Sequence, residues 1–232
     1  MSYYDEYAQD VPLQGMGQGA RATFITKTYA HLAGAMALFV AIEVVMFKSG
    51  LADRMAGAMA NMWWAVLGGF ILVSWIARSA AHSARSKASQ YAALAGFVTA
   101  EAIIFVPLLW FANRFADGVI ESAAAVTLFG FGALTVIAFM TRKDFSFLRG
   151  FLMWGGVAAM ALIIGGMIFG FGLGLYFSVG MVVLAGASIL YDTSNIIHHY
   201  DEESYVAAAL ELFASVALML WYVIQLFLHS RD

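Results

Sequence analysis

The chain has 232 residues, 62% of them hydrophobic and 12% charged, with a mean hydropathy of +0.81 and a formal net charge of −3. A water-soluble domain is about half apolar and about a quarter charged, so this composition excludes a soluble fold. The absence of a basic patch also argues against a nucleic-acid partner. With no cysteine there can be no disulfide, thiolate metal site or palmitoylated thiol, which leaves the compartment open.

Residues 1–26 are polar and carry Asp5, Glu6 and Asp10 but no apolar core. They read as a flexible tail rather than a cleaved signal peptide, turning helical near Ala20. Residues 27–232 then form one transmembrane domain. Its hydropathy gives seven spans, near 28–47, 60–77, 91–112, 122–140, 151–169, 176–197 and 206–228. Each reaches the roughly 17 residues needed to cross about 30 Å of hydrocarbon. The fold class is therefore an all-α bundle of seven membrane helices.

Pro107 predicts a kink in the third span, because proline removes a backbone bond and crowds the preceding turn. The uncharged link FGFGLG (169–174) between the fifth and sixth spans has room only for a tight turn. Gly166 and Gly170 have the four-residue spacing of close helix–helix contacts. Trp63, Trp64, Trp75, Trp110 and Trp154 fit interfacial belts.

Lysine and arginine set the orientation. Arg21, Lys27, Arg78, Arg85, Lys87, Arg142, Lys143 and Arg149 fall on the amino-terminal side, against Lys48, Arg54, Arg114 and Arg231 opposite. The positive-inside bias places the amino terminus and the loop HHYDEES (198–204) in the cytoplasm, and the carboxyl terminus outside.

Four acids fall within spans: Glu43, Glu101, Asp192 and Glu211. An intramembrane charge is costly and is either relieved by a partner or used. Ser188, Asp192, Asn195 and His199 recur at helical spacing on the sixth span, and Glu211, Ser215, Tyr222 and Gln225 on the seventh. Joined by a short loop, these helices should turn their polar stripes toward each other. Arg78 is the expected countercharge for Asp192, since a guanidinium can hold a carboxylate in two parallel bonds. Plainer readings stand beside this one. Asp192–Arg78 serves only to staple helices, Glu43 and Glu211 reach the interface, and His198 and His199 lie at the surface.

Enzyme chemistry is not expected: there is no HExxH, no GxSxG and no paired intramembrane aspartate. No cofactor or metal is implied, and the last span lacks the lysine a retinal protein needs.

TRKDFSFLRGFL (141–152), YDTSNII (191–197) and ALELFASVALM (209–219) resemble the Bax inhibitor-1 family of seven-span proteins, and the nearest branch is the bacterial YccA-like one. The resemblance runs from Thr28 onward in order and spacing. It implies a bundle with the sixth helix at its centre. It also implies, in some members, a pH-sensitive calcium leak gated by paired aspartates and an arginine latch. Asp192 matches the first aspartate and Arg78 the arginine, while Ser215 stands where the second aspartate would be. Two carboxylates can share a proton; a carboxylate and a serine cannot, so Glu211 would have to substitute. The YccA-like branch implies a different partner, the membrane-anchored AAA+ protease FtsH in the bacterial inner membrane. That partner would be engaged through the tail Met1–Phe24, including Tyr3, Tyr4, Asp5, Glu6 and Tyr7. A modulator and substrate of FtsH, and a proton-regulated calcium or cation leak, both remain open at this point.

Overall fold

The computed structural model describes residues 17–83 and 86–230, and within them it is helical with no strand. In chain order the helices are α1 (Gln18–Lys48), α2 (Leu51–Asn61), α3 (Trp63–Ser83), α4 (Lys87–Phe115), α5 (Val119–Thr141), α6 (Leu148–Phe169), α7 (Gly174–His198) and α8 (Tyr205–His229). A single 3₁₀ turn at Glu202–Ser204 precedes α8. All except α2 are long and apolar enough to cross a membrane. They are the seven expected spans, each longer than its hydropathy core.

α1 starts at Gln18, so the end of the expected tail is already helix. Phe24 and Thr28 are fully enclosed, and the Arg21 guanidinium donates 2.6 Å to the Ile197 carbonyl at the end of α7. Tyr3, Tyr4, Asp5, Glu6 and Tyr7 lie outside the described residues.

α2 has no counterpart among the expected spans. It is a short amphipathic helix within the α1–α3 connection that tucks Ala52, Ala56 and Met59 inward and packs chiefly on α4. Its Asp53 accepts a 2.7 Å bond from the Trp110 indole N–H, which takes Trp110 out of a purely interfacial role. Trp63 also packs inward, stacked 6.2 Å from Trp221. Trp64, Trp75 and Trp154 remain exposed on the outside of the bundle.

α4 continues without interruption through Pro107. The turn after α6 is where glycine is required. Gly170 (φ 72°) ends the helix in the left-handed region, and Gly174 (φ 65°) opens α7 from the same region. A β-carbon on Gly166 would sit 3.0 Å from the Phe171 carbonyl. Gly166 and Gly170 thus serve the turn rather than a helix crossing. The close crossing is at Gly155, where a β-carbon would meet a Leu184 methyl at 2.6 Å.

The seventh span, not the sixth, is the most enclosed. Its apolar stretch is 78% buried, against 28% for α7, 11% for α3 and 6% for α6. α8 packs on α7, α1, α5, α4 and α3. Lipid tails are as apolar as leucine, so helices associate in a bilayer through close van der Waals fit, which small side chains allow. Ala207, Ala208, Ala209, Ala214, Ser215 and Ala217 provide that fit along α8, and all are buried. The exposed rings and branched chains of α7 (Tyr176, Val179, Val183) place one of its faces on lipid instead.

Candidate functional site

Glu211 and Ser215 lie four residues apart, so they share one face of α8. Because α8 sits between α3 and α7, the two side chains meet different neighbours. The Ser215 hydroxyl donates 2.5 Å to Asp192 Oδ2 on α7. Glu211 forms its ion pair with Arg78 on α3. The direct Asp192–Arg78 pairing expected from the sequence is replaced by this bridge. Arg78 feels the charges of Asp192 and Glu101 but is committed to Glu211. The reason lies in the packing, since the enclosed α8 carries its own acid into the gap that Asp192 would otherwise span.

The surroundings reinforce the bridge. The Arg78 guanidinium lies 5.6 Å from the centre of the Phe97 ring, a cation–π distance. His82, one turn along α3, brings Nδ1 within 4.0 Å of Glu211 Oε1 while also lying 2.9 Å from the Arg78 carbonyl. Tyr200, in the link after α7, packs its ring 6.3 Å from both His82 and Phe24. Burial first, then the charge of Asp192, push its hydroxyl above the usual phenol range. His82 was missed in the sequence, although its position four residues after Arg78 was a usable signal.

The polar stripe on α7 divides along its length. Ser188 and Asp192 are half-buried. The Asn195 carbonyl accepts the N–H groups of His199 and Tyr200 and closes the helix. His199 is exposed and turns away to Asp144 Oδ2, at 3.4 Å. His198 places Nδ1 3.0 Å from the Ser194 carbonyl. The Ser194 hydroxyl in turn accepts the Phe145 N–H at 2.9 Å, tying the α5–α6 loop to α7. Asp144 is held below the usual carboxylate range, first by the Ser146 hydroxyl and then by its N–H.

One of the other two intramembrane acids departs from expectation. Glu43 does not reach the interface: it is 7% exposed, and neither carboxylate oxygen has a hydrogen-bond partner among the described residues. Glu101, equally buried, faces a cleft of about 470 Å³ bounded by α3, α4, α6, α7 and α8. Arg78 and Glu101 lie on its wall; Trp63, Gln225 and Tyr222 line it as well. Among the described residues no three acidic or imidazole side chains converge as a metal site.

The family model described as "Inhibitor of apoptosis-promoting Bax1" matches residues 21–232. An uncharacterised protein of Pseudomonas aeruginosa is 37% identical over 110 residues, 47% of this chain and 49% of that protein. Bax inhibitor 1 of Schizosaccharomyces pombe is 34% identical over 129 residues, 53% of this chain and 44% of that protein. A protein of Escherichia coli named modulator of FtsH protease YccA is 33% identical over 99 residues, 42% of this chain and 45% of that protein. The chain spans about half the length of the curated relatives it matches.

Proposed function

The chain belongs to the Bax inhibitor-1 family, and on that premise we propose that it is a non-catalytic, multi-pass inner-membrane protein that binds and modulates the FtsH protease. The observation that carries this reading is the match to the Escherichia coli protein named for that modulation. The segment ahead of α1 supplies the handle, on the side that the lysine and arginine bias assigns to the cytoplasm. Since Phe24 is enclosed and Arg21 is bonded to α7, the part available to a protease ends before α1. Removing residues 2–16 should therefore leave the bundle assembled and abolish FtsH-dependent turnover in native membranes. Unchanged turnover of the truncated chain would refute the reading.

A second reading, a proton-responsive calcium or cation leak, is favoured by the bridge through α8. In it Arg78 leaves Glu211 when the acids of the cluster take up protons, and Asp192 becomes free of Ser215. Asp192→Asn should then alter the pH profile of ion flux in liposomes. Flux equal to that of empty vesicles for both proteins would remove this alternative and leave the first untouched.

A further inference from the structure

The two helices that flank the open side of the cleft, α3 and α6, are the least enclosed spans. α3 packs on α4 and α8, while α6 packs on α7. The mouth between them therefore opens onto the bilayer. α3 turns Trp63, Leu67, Phe70, Ser74 and Arg78 toward the cleft, and α6 turns Gly156, Met160 and Ile163. Each set recurs every three or four residues, as one face of a helix does. On α6 the same spacing continues back through Met153 to Arg149, both exposed. The two stripes thus end in an arginine at the same side of the membrane, the one that the lysine and arginine bias assigns to the cytoplasm.

The dimensions suit a lipid chain. Trp63 to Arg78 covers about 22 Å along α3, and Arg149 to Ile163 about 21 Å along α6, at 1.5 Å per residue. The chains of one leaflet fill about half of a hydrocarbon core of about 30 Å, so each stripe has room for a chain and the glycerol above it. The walls are within reach of an occupant: Trp63, Leu67, Phe70, Met160 and Ile163 are half-buried, and Gly156 is exposed.

The two arginines are not equivalent. The Arg78 side chain is 42% exposed, but its charge is answered by Glu211, and Asp192 and Glu101 act on it as well. Arg149 makes no ion pair among the described residues. It is the second residue of α6, whereas Arg78 lies more than one turn inside α3. The charge left over at the rim is thus positive and stands at headgroup level. The acids around Arg78 lie deeper and disfavour an anion in the body of the cleft, so what passes inward must be uncharged. An apolar chain with an anionic head at its outer end meets both conditions, and a guanidinium matches a phosphate in two parallel bonds. Basic sites between membrane helices on the cytoplasmic side take anionic headgroups in this way.

We propose that the cleft holds one acyl chain of an anionic phospholipid whose phosphate is bound by Arg149 at the rim. This goes beyond both functional readings above and depends on neither.

The test uses the full chain in phosphatidylcholine nanodiscs with a trace of phosphatidylglycerol carrying a photoreactive acyl chain, and labelled peptides are mapped by mass spectrometry. Labelling should fall on the α3 and α6 stripes. Unlabelled phosphatidylglycerol should compete about fivefold better than phosphatidylethanolamine, the preference that one arginine near the surface provides. Arg149→Gln should level the two competitors. Lys27→Gln removes a charge of the same sign from α1, which contributes nothing to the cleft lining, and should leave the preference intact. Gly156 lines the cleft, and a β-carbon there meets nothing within 4 Å, so Gly156→Phe should fill the space and abolish labelling without touching a charge. Equal competition by the two lipids in the native protein would overturn the proposal. So would displacement of the probe by inorganic phosphate alone, an equal loss of preference in Lys27→Gln, or undiminished labelling of Gly156→Phe. Should Gly156→Phe fail to assemble, the competitor series on the native protein and on Arg149→Gln still decides.

Discussion

Glu43 and Glu211 are both carboxylates in membrane helices one to two turns from a helix end, yet their surroundings differ. Glu211 sits on the enclosed α8 and finds Arg78 across the interface with α3. Glu43 sits on α1, is buried at 7% exposure, and neither oxygen finds a partner among the described residues. Depth alone therefore does not decide whether an intramembrane acid is satisfied. What decides is whether a neighbouring helix brings a donor to the same level. The paired acid contributes to holding α3 and α8 together, and the unpaired one is a standing cost.

Thermal unfolding of purified variants separates the two cases most strongly. Arg78→Ala leaves Glu211 without its countercharge and should cost about 3 kcal/mol. Glu43→Leu removes an unsatisfied group and should be neutral or raise the melting temperature. Equal losses in the two variants would break the contrast. A double-mutant cycle of Arg78→Ala with Glu211→Gln sharpens it, with an expected coupling of about 1–3 kcal/mol for groups in direct contact.

A smaller effect is expected at the second contact of the same helix. Ser215→Ala removes one hydrogen bond to a carboxylate and should cost about 1.5 kcal/mol, read in the same unfolding assay. Ser215→Asn can still donate to Asp192 and should recover part of that loss if its larger side chain fits.

The smallest lies outside the membrane. Asp144 is exposed, and its carboxyl is held below the usual range by Ser146. A group lowered in the folded state contributes stability that is present above its unfolded value, near the ordinary aspartate range of about 3.9. That contribution is lost as pH falls through the lower, folded value. Asp144→Ala should thus reduce stability by less than about 1 kcal/mol at neutral pH. The difference from the native protein should vanish in acid, as a pH series of melting curves would record.

The sequence made the spans legible because each is a long apolar run, and the membrane permits little else but a helix there. It also marked Asp192, Arg78, Glu211 and Ser215 through charge and spacing. It could not say who pairs with whom, because Arg78 has three acids around it, Asp192, Glu101 and Glu211, and only the packing of α8 between α3 and α7 chooses Glu211. α2 stayed hidden since eleven residues of mixed polarity fall below any spanning signal. The cleft was equally invisible. Its wall residues come from five helices, and nothing in the order of Trp63, Glu101, Gly156 and Gln225 announces that they share a space.

The helix that touches most of the others is the last of the seven spans to leave the ribosome. Until it enters the bilayer, α1, α3, α4, α5 and α7 each lack the α8 surface they pack against. Completion of the fold is therefore deferred until α8 is made, and a chain interrupted before Tyr205 would present quality control with an assembly missing its keystone.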